Sequence, residues 1–314
     1  MNKTLDRKQL FTEENFKFIN RDLSSLSEEE LFLDKNRYID NLIREIKRNK
    51  LAFFSCTILI VVFLCSIFAF LSPYDPNKIT ISERLNPPSL KHLFGTDELG
   101  RDYFTRILYG GRVSLTVGFL SMIISVVIGT FVGTFSGFIG GKTDKLIMRC
   151  IDVLMCIPTF FLILIANAYL KPGLKNVIII IGIFGWMDTA RIVRSETLSY
   201  REREYVLASH SMGASSWHMI KKHIIPNVMP TVIVVSSIGI AGAILTESAL
   251  SFLGLGVQAP TASWGSMLQT AQGYLSQSPF IALFPGLSIL LTVLSFNILG
   301  DVLRVALEPK INKK

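Results

Sequence analysis

The apolar residues of this chain gather into runs of about 20, the length that a helix needs to cross a bilayer core of roughly 30 Å. Such a segment satisfies its own backbone hydrogen bonds only as a helix or within a closed barrel. Of the 314 residues, 50% are hydrophobic and 18% are charged. A soluble domain carries roughly 25% charged residues. These features predict an all-α, polytopic membrane protein.

Six transmembrane helices are predicted from the apolar runs. Their edges are set by composition and are therefore approximate. The spans are 51–71, 113–138, 150–170, 177–188, 228–253 and 280–302.

The distribution of Lys and Arg predicts how these spans are oriented. Basic residues cluster before the first span, between the second and third, between the fourth and fifth, and after the sixth, whereas 254–279 has none. Because cytoplasmic loops are enriched in Lys and Arg, both termini are expected in the cytoplasm. The basic residues of 72–112 argue against this, but the other segments outweigh them. The net charge of +8 then reflects cytoplasmic loops and lipid headgroups rather than nucleic acid.

The spans divide the chain into five parts. Residues 1–50 are expected to form a cytoplasmic tail, with disorder up to about residue 34, and 51–71 the first span. Residues 72–112 are expected outside the cell, and 307–314 form a second cytoplasmic tail. Residues 113–306 form a core of five spans that includes a cytoplasmic segment, 191–227.

The second span carries small residues at every fourth position, a pattern that lets helix backbones approach closely in lipid. The predicted partner is either another helix of this chain or a second subunit. The positions are Ser125, Gly129, Gly133 and Gly137.

Just after this span, the letters SGFIGGKT at 136–143 nearly match a phosphate-binding loop. That loop follows a strand, and here a transmembrane helix precedes it. The interpretation that Gly140 and Gly141 end a helix is therefore preferred.

Two further residues lie unusually within apolar spans. Pro158 is expected to kink the third span. Glu247 is a lone acid in the fifth span, and intramembrane acids face a bundle interior or a water-filled path. Its role is either in the translocation path or in a structural polar contact near the end of its span.

No catalytic or metal-binding constellation is evident. The four histidines form no zinc motif, and no nucleophile elbow occurs. The chain is therefore not expected to be an enzyme or to bind a metal itself.

The cytoplasmic segment has helical order in two parts. Tyr205, Ala208 and Met212 fall on one helical face, and Gly213 then interrupts the pattern. Ser215 or Ser216 is expected to cap a second short helix.

In that second helix, Trp217, Ile220 and Ile224 form another apolar stripe, and Pro226 is expected to end it. Periodicity leaves two uses open for the segment. It lies on the lipid surface, or it docks into a groove on a partner protein.

This segment resembles the EAA loop of the membrane subunits of ABC importers. Leu207, Ala208 and Ser209 take the Glu-Ala-Ala positions, Gly213 takes the glycine, and Pro226 ends the closing tetrad. Leu207 departs from the pattern because it lacks the acid. The residues that the resemblance places at an ATPase-docking face are Glu204, Tyr205, Leu207, Ala208, Ser209, Met212, Gly213, Ala214, Ser215 and Pro226.

Other stretches are similar to one branch of this family, the C-type permeases of dipeptide and oligopeptide importers. They are FGTDELGRDYFTRILYGGRVSLTVG at 94–118, REREYV at 201–206 and TESALSFLGLGVQAPTASWG at 246–265. The resemblance covers most of residues 38–310 and implies a MetI-like permease fold.

The resemblance also implies a function. It is that of a peptide-importer permease in the bacterial cytoplasmic membrane, paired with a second, homologous permease. Two cytoplasmic subunits would bind ATP and magnesium, and an extracellular binding protein would deliver the substrate. Nickel or another small solute is an alternative cargo. A self-contained secondary transporter is a further alternative, although no paired broken helices or internal repeats are evident.

Overall fold

The computed structural model describes residues 41–170 and 173–307. The expected disorder up to about residue 34 and the tail 308–314 lie outside the described residues. Five of the described helices are long and apolar enough to cross a membrane, and a bent helix pair makes six if it counts as one span. The prediction of an all-α polytopic membrane protein is thereby confirmed.

The first two long helices are α1, Lys50–Ile67, and α2, Tyr103–Ile139. The Asn49 side chain caps α1 by accepting a hydrogen bond from the Leu51 amide at 3.0 Å. Helix α2 begins before the predicted edge at residue 113, because the Asp102 carboxylate accepts from the Thr105 amide at 2.8 Å and caps it there.

The third predicted span is two helices, α3, Gly141–Met155, and α4, Thr159–Tyr169, which meet at 76°. The bend lies at Pro158, so the predicted kink is confirmed. The first of these helices begins nine residues before the span edge predicted at residue 150. Gly140, with a φ of +69°, ends α2, and α3 follows it directly.

The remaining helices complete the bundle. Helix α5 extends beyond the predicted edge at residue 188, and α8 continues from a preceding turn of π-helix, Ile220–Ile224. The bounds are α5 Leu174–Arg201, α6 Glu204–Ser211, α7 Ser216–Met219, α8 Ile225–Phe252, α9 Trp264–Ala271 and α10 Phe280–Leu307.

Helices α1 and α8 run in one direction and α2, α5 and α10 in the other, with α2 and α5 parallel along their contact, so the bundle has two ends. We call the end at which α1 begins the proximal end and the opposite end the distal end. Helices α6 and α7 lie at the proximal end, between α5 and α8, and α9 lies at the distal end, between α8 and α10.

The small residues of α2 pack against α5. A Cβ atom built on Gly133 would lie 2.5 Å from the Ala190 carbonyl oxygen, and one on Gly137 would lie 2.8 Å from that of Arg194. A Cβ atom built on Gly182 of α5 would lie similarly close to atoms of α2. Of the two partners that the pattern allowed, the structure therefore shows a helix of the same chain.

Helix α9 was not predicted by periodicity, because it is short and lies between two spans. Its cap is a reciprocal pair of hydrogen bonds between Ser263 and Ser266. The Trp264 side chain is 2% exposed, and its indole nitrogen donates to the Ile107 carbonyl at 3.1 Å. This residue joins the distal loop to α2 and belongs to the main apolar cluster.

The polar segment between α1 and α2 is held together by ion pairs. Asp97 contacts the Arg101 Nε at 2.6 Å and the Arg106 Nε at 3.3 Å, and all three side chains are almost fully buried. Burial, reinforced by the neighbouring Asp97, raises the pKa of Glu98. Several of the basic residues that weighed against the predicted orientation thus serve the local fold.

Candidate partner-docking segment

Helix α6 presents one face to the bundle and leaves the other uncovered. Val206 and Ser209 are buried, whereas Leu207 is 53% exposed and Met212, just after the helix, is 82% exposed. Tyr205 and Ala208 are also exposed. An apolar face that the chain itself leaves open is suited to a partner groove.

The turn after α6 depends on glycine. Gly213 has a φ of +84°, which side chains with a Cβ rarely adopt, and its amide donates to the His210 carbonyl at 2.9 Å. The Ala214 amide donates to the Ser209 carbonyl at 3.1 Å. No heavy atom lies within 4 Å of a Cβ built on Gly213. The glycine is therefore needed for the backbone shape and not to avoid a neighbour.

Ser215 rather than Ser216 caps the second helix, accepting from the His218 amide at 3.3 Å. That helix does not end at Pro226, so this prediction is wrong. The π-helical turn at Ile220–Ile224 leads directly into α8, with Pro226 in its first turn. A proline lacks an amide hydrogen and is tolerated there, since the altered hydrogen-bond spacing of a π-turn accommodates the break.

The predicted stripe of the second helix is divided between two surroundings. Ile224 is fully buried with Val206 and Val228 in a small apolar cluster at the proximal end. Trp217 is 64% exposed and lines a cleft between α2 and α8. The two halves of the segment therefore face different environments.

Polar contacts fix the segment to the bundle through α5. Arg194 donates to Asp144 of α3 at 2.9 Å, and Arg201 donates to the Phe138 carbonyl at the end of α2, also at 2.9 Å. Arg191 donates to Asp152 at 2.7 Å. These contacts tie the proximal end of α5 to α2 and α3.

The other predicted docking residues lie along the same segment. Glu204, Ser215 and Pro226 are exposed, and Ala214 is half-buried. Ser209 is buried, and its carbonyl accepts from the Ala214 amide in the turn; its part in docking stays a prediction. The Tyr205 ring lies 5.8 Å from that of His223, and partial burial raises the pKa of its hydroxyl.

Sequence reasoning missed the residues that seat this segment, above all Val206 and Met219, which are 2% and 4% exposed. Their signal was available, because Val206 lies opposite the face of Tyr205 and Met212. The helical face predicted from periodicity carries Tyr205, Ala208 and Met212, and Val206 lies outside that face.

Glu247 lies far from this segment, in the distal half of α8, and has no exposed surface. Ser114 of α2 donates to one carboxylate oxygen at 3.0 Å, and Ser251 donates to the other at 2.7 Å. This geometry matches the structural alternative, a polar contact that ties α2 to α8. A role in the translocation path stays a prediction.

Comparison with family models identifies the machinery. The model described as "binding-protein-dependent transport system inner membrane component" matches residues 125–313. The chain belongs to this family. A second family model, which describes the N-terminal transmembrane domain of oligopeptide transport permease C, matches residues 38–88 of the chain.

Several known permease proteins are similar to this chain over most of its length. It is 40% identical to the dipeptide transport system permease protein DppC of Bacillus subtilis, over 88% of this chain and 87% of that protein. It is 40% identical to the oligopeptide transport system permease protein OppC of the same organism, over 93% and 94%. It is 41% identical to the glutathione transport system permease protein GsiD of Escherichia coli, over 85% and 89%.

These findings confirm the predicted family and the multi-pass location in the plasma membrane. The family is a transport component rather than an enzyme family. Among the described residues, no group of three or more His, Cys, Asp or Glu side chains is arranged to hold a metal ion.

Proposed function

We propose that this chain is a permease subunit of an ATP-driven peptide importer and that α6 docks on a cytoplasmic ATPase subunit. The observation that carries the proposal is the open face of α6. Leu207 and Met212 are exposed there, while Val206 on the same short helix is 2% exposed and packs into the bundle. A helix that is seated on one side and apolar on the other is built to be covered.

The proposed mechanism is mechanical coupling. ATP and magnesium bind on the partner subunits, so free energy reaches this chain only through contact. If the ATPase groove prefers one position of α6, binding shifts the balance between inward-facing and outward-facing states. The contacts of Arg194 and Arg201 join that movement to α2, α3 and α5.

The same proposal assigns an orientation. The proximal end faces the cytoplasm, where its basic residues are expected. The distal end faces outward, where 72–102 and α9 receive an extracellular substrate-binding protein. A second, homologous permease completes the path, and a peptide is the proposed cargo because the relatives are named as dipeptide, oligopeptide and glutathione permeases.

The test of this proposal uses two substitutions at Gly213. In the assembled transporter, Gly213→Leu is expected to abolish most peptide-stimulated ATP hydrolysis, because leucine strains the left-handed turn that sets the angle of α6. Gly213→Asn is the matched control and should retain most of that activity, since asparagine tolerates positive φ. Peptide uptake into vesicles and ATP hydrolysis are measured together.

Full coupling in Gly213→Leu at a normal level of assembled complex would overturn the docking proposal. Uptake by this chain alone, driven by a proton or sodium gradient, would instead support a secondary transporter.

A further inference from the structure

An apolar cleft of about 860 Å³ opens at the proximal half of the bundle, between α2 and α8. The two helices touch in their distal halves, where a Cβ built on Gly118 would lie 2.8 Å from the Ile244 side chain. At the proximal end, Phe131 and Phe135 form one wall of the cleft, and Met229 lies on the other. This space is of the size that binds a drug-sized or larger ligand.

The cleft contains polar groups that the chain does not satisfy. The hydroxyls of Thr130 and Thr134 are buried without a hydrogen-bond partner among the described residues, and both residues line the cleft. Thr134 is 3% exposed. Because an unpaired buried hydroxyl is unfavourable, an occupant with an acceptor oxygen is expected beside it.

The position of Thr134 along α2 suggests which acceptor this is. It lies one and a half turns before the end of α2 at Ile139, or about 7.5 Å along the helix axis. With the headgroups level with the end of α2, a phospholipid carries its ester carbonyls at about this depth. These accept hydrogen bonds, whereas the acyl chains beneath them match the apolar walls.

Along the chain, unpaired positive charge directly follows Ile220, which lines the cleft. Lys221 and Lys222 are exposed on the turn that follows Trp217, and neither makes an ion pair with any residue that the structure describes. The sequence has no Asp or Glu between Glu204 and Glu247. A tryptophan next to lysines at a helix end is typical of the membrane interface.

We propose that this cleft binds an anionic phospholipid. Its acyl chains lie against Phe131, Phe135 and Met229, an ester carbonyl accepts from Thr134, and the phosphate lies near Lys221 and Lys222. The charge complementarity favours this occupant over a helix of another subunit, which would need to bring its own anionic group. The lipid would support the Trp217 half of the segment while α6 remains free for a protein partner.

The experiment uses the assembled transporter in phosphatidylcholine vesicles with added brominated phosphatidylglycerol or brominated phosphatidylcholine. Bromine quenches tryptophan fluorescence at short range, and subtraction of a Trp217→Phe sample isolates the signal of Trp217. We expect phosphatidylglycerol to quench Trp217 at a lower mole fraction than phosphatidylcholine. In Lys221→Gln/Lys222→Gln, this preference should fall by about tenfold or more.

Two further variants separate the headgroup contact from general surface charge. Lys145→Gln/Arg149→Gln removes two exposed charges from α3 at the same end and should leave the preference unchanged. Thr134→Val removes only the hydroxyl and should weaken quenching by both brominated lipids about threefold to tenfold.

Equal quenching by both lipids in the unmodified transporter would overturn the proposal in favour of unselective lipid contact. Absence of quenching by either would overturn it in favour of a second permease covering the cleft, and an equal loss in the α3 variant would also contradict it. The readout reports lipid binding whether or not peptide is transported, so its failure is distinct from failure of the proposed function.

Discussion

The distal ion cluster with Trp264 and the proximal segment 205–217 treat their side chains in different ways. At the distal end, Asp97 and Glu98 form ion pairs with Arg101 and Arg106, and Trp264 is buried against α2. At the proximal end, Leu207, Met212 and Trp217 are exposed. A region that satisfies its own groups is built for rigidity, whereas a region that leaves them open is built for partners. Substitutions at the two ends should therefore affect different measurements.

The largest effect is expected at the distal ion network. Asp97→Asn removes the charge that pairs with two buried arginines and should destabilise the chain by roughly 3 to 5 kcal/mol. Thermal unfolding of the purified transporter measures this change. Asp75→Asn, at an exposed carboxylate nearby, is the control and should have little effect. Unchanged stability in Asp97→Asn would break the contrast between the two ends.

Glu247 tests whether a buried distal acid has a structural or a transport role. In Glu247→Ala, Ser114 and Ser251 lose their acceptor, at roughly 1 to 3 kcal/mol for each hydroxyl left unpaired. Glu247→Gln keeps the volume and an acceptor, so it should lose less stability and retain peptide uptake. Normal stability of Glu247→Gln with a large loss of uptake would instead place Glu247 in the translocation path.

Helices α2 and α5 pack closely against each other between the two ends of the bundle. A substitution at Gly133 tests how tight this packing is. Gly133→Ala places a methyl group about 2.5 Å from a carbonyl oxygen and should cost roughly 1 to 3 kcal/mol. Gly242→Ala is the matched control, since no heavy atom lies within 4 Å of its Cβ position. A similar unfolding temperature for both variants would show that the helices separate readily at this point.

The smallest effect on stability is expected at the proximal end, where Leu207 is half exposed. Leu207→Glu introduces the residue type that the EAA pattern carries at this position, so it should preserve ATPase binding better than Leu207→Lys. Neither change should shift unfolding of the chain by more than about 0.5 kcal/mol. Equal loss of ATPase binding in both variants would contradict docking at this position.

The helix content, the number of candidate spans and the Gly213 interruption could be predicted from sequence, because each depends on local chemistry. Apolar run length fixes what can cross a bilayer, and a glycine sets local backbone freedom. The same local logic failed at Pro226, because the π-turn at 220–224 carries the helix past it. Helix α2 also extends beyond the apolar run that predicted the second span, since its cap at Asp102 lies in a polar stretch.

The spacing of small residues in α2 did not say which helix packs against them, and the tertiary structure answers this question. The small-residue face of α2 allowed two partners, and only the closeness of Ala190 and Arg194 identified α5. Packing also places Ser114, distant in sequence, beside Glu247, whereas a role of Glu247 in the translocation path stays a prediction.

The apolar pattern of 204–225 likewise allowed a lipid surface or a protein groove. In the tertiary structure Ile224 is buried, Trp217 lines a cleft and the α6 face is uncovered. Sequence determines which side chains are apolar, and therefore which must leave water. The neighbour that covers each apolar side chain is set by contacts between segments that are distant in sequence. No local pattern in a single sequence encodes these contacts.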